Sequence, residues 1–120
     1  MNMNRLIPML PVANMPARVK FYEKLGFRVE ERQDAWGWAM LYFGECRLMV
    51  DQSIGQHGAG LRESVIYLYP ENIVEYHQLV RTNGLDLPDL ETTFYDMTEF
   101  RLADPDGNRL WFGQKLSERG

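Results

Sequence analysis

Residues that build metal and redox centres are scarce in this chain. Its 120 residues include one cysteine, Cys46, and two histidines, His57 and His77. A lone cysteine excludes an intramolecular disulfide and fits a reducing compartment. Two histidines limit an imidazole-rich centre to that pair, unless a second subunit contributes. Basic residues are also few: 13 Lys and Arg stand against 17 Asp and Glu, a net charge of −4. No basic cluster is present to neutralise phosphates, so nucleic acid is not an expected partner. No apolar run is long enough to cross a bilayer, and the stretch before Met15 is cut by Pro8 and Pro11, a poor signal peptide. No membrane partner is expected, and cytoplasm is the expected location. There is no Gly-rich phosphate cradle.

The composition, 45% hydrophobic and 25% charged, is that of a globular chain, and the length fits a single domain over 1–120. Leu6 to Val12 is apolar with two prolines and reads as a strand near an edge. Asn14 offers an N-cap and Pro16 suits a first helical turn. Val19, Tyr22 and Leu25 then recur at helical spacing, and Gly26 ends the helix. Strands are expected over Phe27–Arg32, Trp36–Phe43 and Cys46–Gln52, the last two joined by a Gly44-Glu45 turn. A Gly-rich linker over 53–63 follows.

After the linker the order repeats. Ser64–Tyr69 reads as a strand. Asn72 and Glu75 form a capping pair for a helix carrying Ile73, Tyr76, His77 and Val80 on one face, stopped by Gly84. A weaker extended segment over Asp86–Phe94 and strands over Met97–Ala103 and Asn108–Gln114 complete the second half, with Asp104-Pro105-Asp106-Gly107-Asn108 as the turn between them. Gly26 and Gly84 lie 58 residues apart, and Arg47-Leu48-Met49-Val50-Asp51-Gln52 matches Arg109-Leu110-Trp111-Phe112-Gly113-Gln114 at an offset of 62. The chain therefore reads as an α+β fold of two βαβββ modules, about 4–52 and 64–114, with a concave space between paired sheets.

Phe21-Tyr22-Glu23-Lys24-Leu25-Gly26-Phe27 and Asp104-Pro105-Asp106-Gly107-Asn108-Arg109-Leu110, at corresponding ends of this duplicated pattern, make the sequence resemble the vicinal-oxygen-chelate superfamily. That superfamily contains glyoxalase I, extradiol dioxygenases, and fosfomycin and bleomycin resistance proteins. The resemblance covers nearly the whole chain, and the Gly37-Trp38-Ala39-Met40-Leu41 strand is similar to the bleomycin resistance branch. Metalloenzymes of the superfamily draw His or carboxylate ligands from the first and last strands of each module. The matching positions here are Ile7, Met49, Val65 and Trp111. All four are apolar, and none supplies an imidazole nitrogen or carboxylate oxygen. The resemblance thus implies a metal-free small-molecule binder without a cofactor, acting as a homodimer that sequesters a bulky, partly aromatic, cationic ligand such as a glycopeptide antibiotic. The alternative is a metal-dependent lyase, dioxygenase or thiol transferase working through Asp51, Glu99 or His77.

Strand alternation places Met9, Arg47, Asp51, Tyr67, Tyr69 and Arg109 on the same face as those four residues, with Ile66 and Leu68 turned to a helix. The expected ligand contacts are Ile7, Trp38, Met49, Val65, Tyr67, Arg109 and Trp111. Alternation does not assign a face to Trp36 or Trp38. Asp86, Asp89, Glu91, Asp96 and Glu99 read as a solvated acidic stretch, or as a rim that steers a cation. His77 reads as a partly buried structural histidine, His57 as an exposed linker residue, and Cys46 as a small buried apolar residue.

Overall fold

Each helix begins where an asparagine can cap it. In the computed structural model, which describes residues 1–54 and 62–118, Asn14 Oδ1 accepts the Ala17 amide at 2.9 Å and starts α1 (Met15–Lys24). Asn72 Oδ1 accepts the Glu75 amide at 3.1 Å and starts α2 (Ile73–Thr82). Both helices stop at a glycine with positive φ, 105° at Gly26 and 102° at Gly84, a backbone state that a side chain disfavours.

Around α1 lie β1 (Met9–Pro11), β2 (Arg28–Gln33), β3 (Trp38–Phe43) and β4 (Cys46–Asp51). Around α2 lie β5 (Val65–Leu68), β6 (Glu91–Thr92), β7 (Met97–Ala103) and β8 (Arg109–Lys115). The strand orders are β1-β4-β3-β2 and β5-β8-β7-β6, the same topology twice, with a parallel β1–β4 or β5–β8 pair and antiparallel neighbours. The chain divides into two compact units, the first ending at Ala59 and the second starting at Gly60.

Each unit has its own core beneath its helix. In the first, Leu10, Val12, Leu48, Val50, Ala39 and Leu41 form the covered face of the sheet, against Met15, Val19 and Tyr22 of α1. In the second, Phe100 and Phe112 stack 4.7 Å apart, and Tyr76 and His77 of α2 lie against them at 5.6 Å and 4.9 Å. A glutamine fastens each helix to the sheet. Gln52 Oε1 accepts the Met15 amide, and Gln114 Oε1 accepts the Ile73 amide, both at 2.9 Å. These are first-turn amides that no helical carbonyl can reach. The two glutamines lie at the ends of the matched sequence segments.

Several expectations need correction. The first strand is shorter than Leu6–Val12, although Pro8 O accepts the Met49 amide and the Val12 amide reaches Asp51 O. Ile7 precedes that ladder. Trp36 is not in a strand: it sits in the turn before β3 and is 67% exposed. Cys46 is exposed rather than buried. It pairs with Phe43 at the tip of the β3–β4 hairpin, one step past the residues that α1 covers. Tyr69 is exposed just beyond β5. His57 and most of the linker lie outside the described residues.

Candidate functional site

The face of each sheet turned away from its helix carries the polar and aromatic residues. Cross-strand partners point to the same side of a sheet, so the registers identify these faces directly. In the second unit, Tyr67, Trp111 and Arg101 lie side by side across β5, β8 and β7. Val65 and Arg109 form the next row, and Gly113 and Glu99 form another. Val65, Tyr67, Arg109 and Trp111, all expected contacts, therefore share one face.

Glu99 organises this face. Its side chain is fully buried, unlike Asp86, Asp89, Glu91 and Asp96, which are exposed. The solvated reading of the acidic stretch holds for those four and fails for Glu99. Glu99 Oε2 accepts the hydroxyls of Tyr67 at 2.7 Å and Tyr95 at 2.6 Å, and Oε1 accepts Arg101 Nε at 2.6 Å. Burial pushes the carboxyl up, and the three donors outweigh it, holding the carboxyl below its ordinary value. Burial together with the bond to Glu99 raises the Tyr67 hydroxyl far above the tyrosine range, so it stays a donor at neutral pH.

Gly113 makes room for this arrangement. A Cβ there would collide with Tyr67 Oη and come within 2.9 Å of its Cζ and 3.0 Å of Met97 Cε. Only a bare backbone lets the phenol cross the strand to Glu99. Arg101, held by Glu99 and donating to Tyr95 Oη at 3.1 Å, lies with Cζ 3.5 Å from the centre of the Trp111 ring. Arg109 approaches the same ring at 5.4 Å. The indole face is thus occupied by the chain's own guanidinium. An open groove of about 430 Å³ runs along Tyr95, Asp96, Lys115, Leu116 and Ser117. It shares Tyr95 with the cluster and does not include Trp111.

The corresponding face of the first unit has the same frame and other chemistry. Met9, Met49 and Met40 are aligned across β1, β4 and β3, as Tyr67, Trp111 and Arg101 are across β5, β8 and β7. Trp38 and Asp51 pair in the row matching Glu99 and Gly113. The Trp38 indole N–H donates to Met49 Sδ at 3.2 Å, which places Trp38 on this face. Asp51 Oδ1 accepts both the amide and the hydroxyl of Ser53, at 2.7 and 2.6 Å. Arg47 pairs with Glu30 at 2.9 Å and lies 5.3 Å from the Tyr42 ring centre.

His77 is buried on the inner face of α2. Its Nε2–H donates to the Pro88 carbonyl at 2.7 Å, which fixes the tautomer, and its ring meets Phe100 edge-on. The structural reading of this histidine holds. Among the described residues, no three His, Cys, Asp or Glu side chains converge as a metal site would require. Among the described residues, no helix is long and apolar enough to cross a membrane.

Sequence reasoning missed Tyr95, Gly113 and the pairing of Glu99 with Arg101. One signal was available, because Glu99 and Arg101 lie two apart on a strand and so face the same way.

The family model for the Glyoxalase/Bleomycin resistance protein/Dioxygenase superfamily matches residues 5–112. No curated protein matches the sequence. Among solved structures, the chain is similar to a bleomycin-binding protein complexed with bleomycin (22% identity, covering 94% of this chain and 99% of that one, TM-score 0.75). It is also similar to a bleomycin resistance determinant encoded on the transposon Tn5 (22%, 95% and 99%, TM-score 0.77). TioX from Micromonospora sp. ML1 is a third (18%, 95% and 100%, TM-score 0.74).

Proposed function

Because the chain belongs to the Glyoxalase/Bleomycin resistance protein/Dioxygenase superfamily, we propose that it uses this frame to bind and sequester a bulky, partly aromatic small molecule without chemical conversion. The observation that carries the reading is the commitment of Glu99. A general base or metal-binding carboxylate needs free lone pairs, and three of the roughly four acceptor sites of this buried one are already taken. The other residues of the metalloenzyme alternative are also engaged: His77, on the buried face of α2, with Pro88, and Asp51 through Oδ1 with Ser53. Ile7, Met49, Val65 and Trp111, which match the superfamily's ligand positions, bring no hard donor.

The residues that remain suit binding. Trp38 and the thioethers of Met9, Met40 and Met49 form an adaptable surface for flat apolar groups. The net charge of −4 favours approach of a cationic ligand. Glycopeptide antibiotics of the bleomycin type combine these features, and bleomycin occupies one of the similar structures. A homodimer in the cytoplasm is the expected working form.

Titration calorimetry with bleomycin tests the antibiotic form of this proposal. Heat of binding and a raised Tm at tens of micromolar ligand support it, and neither effect overturns it. Metal analysis of protein purified without chelator tests the alternative, which needs stoichiometric Zn, Ni, Mn or Fe.

A further inference from the structure

We propose that the exposed face of the second unit is a recognition site for a planar aromatic carboxylate, with Arg101 as its specificity-determining residue. The inference rests on the reading of the chain as a small-molecule binder and assigns this one face an anionic group, opposite in sign to the ligand that the net charge of −4 favours overall.

Trp111 would be the natural platform for a ligand cation, but that position is filled. Arg101 Cζ stands 3.5 Å from the ring centre, and the guanidinium is held through Nε and Nη2 by Glu99 and Tyr95. A second cation over the same ring face would meet Arg101 directly, with Arg109 also 5.4 Å from the ring. Two guanidiniums and one carboxylate leave this cluster with one positive charge in excess.

Arg101 is nonetheless accessible, with 44% of its side chain exposed. Of its five N–H groups, Nε–H is bound to Glu99 and one on Nη2 to Tyr95. The remaining edge can grip a carboxylate with two parallel bonds, and the plane is already set, so little freedom is lost on binding. The ring attached to that carboxylate has partners of its own. Tyr69 is 71% exposed, and its ring lies 4.9 Å from that of Tyr67, the neighbour of Trp111 across the sheet. A charged edge on a sheet that also carries exposed aromatic surface matches a flat acid better than a simple anion or an uncharged ring.

The test uses the full chain and three probes: 2-naphthoate, 2-naphthylmethanol and acetate. The readout is the indole N–H signal in an NMR titration, assigned to Trp111 by its loss in Trp111→Phe. Naphthoate should shift that signal with a dissociation constant of about 1 mM, as expected for a fragment of this size. The alcohol should bind at least fivefold more weakly, and acetate should leave the signal in place. Arg101→Met should erase the preference for the acid. Arg101→Lys, which keeps the charge and loses the fork, should lower it at least threefold. If Arg101→Met alone does not fold, Glu99→Gln combined with it removes the unpaired buried carboxylate and answers the same question. Equal affinity for acid and alcohol overturns the inference, as does a preference that survives loss of Arg101. Bleomycin binding is read separately: heat with bleomycin and no shift of the Trp111 signal with naphthoate rejects this site alone, whereas the reverse rejects the antibiotic reading alone.

Discussion

Gly113→Ala should destabilise the protein, although an alanine in a strand is ordinarily the better choice. The residue lies in β8 without positive φ, so the backbone accepts alanine, and on entropy alone the change would stabilise by about 0.5–1 kcal/mol. The added methyl instead occupies the space of Tyr67 Oη. If the phenol stays, overpacking costs about 1–3 kcal/mol. If it swings outward, which its half-exposed position permits, the bond to the Glu99 carboxylate is lost at about 1.5–3 kcal/mol. Either route, less the entropic gain, gives a net loss of about 1–1.5 kcal/mol, or a fall in Tm of about 5 °C for a chain of this size. Urea denaturation followed by circular dichroism provides the measurement. The same substitution placed in Tyr67→Ala should be neutral or slightly stabilising, because the obstruction is gone, so the two sites should be strongly coupled. An equal effect of Gly113→Ala in both backgrounds, or a stabilisation in the unaltered chain, would refute the account of Gly113 as the gap through which Tyr67 reaches Glu99.

The Glu99 carboxyl is held below its ordinary value near 4.5, so its contribution to stability is present above that value and lost as pH falls through the lower folded-state value. Glu99→Gln should therefore flatten the acid limb of a stability–pH curve below about pH 4.5, and an unchanged limb would count against the three-donor arrangement. Gln114→Ala should cost about 2–3 kcal/mol, since it leaves the buried Ile73 amide unpaired, while Gln52→Ala, at an exposed position, should cost about 1 kcal/mol; chemical denaturation of both variants gives the comparison. Cys46 should react stoichiometrically with Ellman's reagent in the absence of denaturant, and protection until unfolding would contradict its place at the hairpin tip.

The duplicated topology was legible because short-range signals carry it. Asn14 and Asn72 cap, Gly26 and Gly84 stop, and the hydrophobic period switches between helix and strand in both halves. The sidedness of the sheets was legible too, since alternation assigned Ile66 and Leu68 to one face and Tyr67 to the other, and their partners Leu110 and Phe112 are core residues. What failed depended on how far a helix reaches along a strand. Cys46 has core parity, but it lies beyond the cover of α1. Trp36 looks like strand sequence, yet Gly37 follows it and holds it in a turn. Glu99 was hidden for a different reason: a carboxylate becomes a buried residue only through partners on β5, on β7 and before β7, and no local pattern announces that meeting. Gly113 likewise has meaning only once Tyr67 is seen to lie over it.

The matched registers of the two units also bear on how this protein could change. At equivalent places one sheet holds methionines and the other holds an arginine, a tyrosine and a tryptophan locked to a carboxylate. Thioether chains are supple and forgive alteration, so substitutions on the first sheet would drift through many ligand shapes with little harm to folding. The second sheet has no such latitude: replacing one member strands the others, and a new charge preference there requires at least two simultaneous changes. A lineage under pressure from new compounds would explore breadth through its first half and keep its second half nearly still.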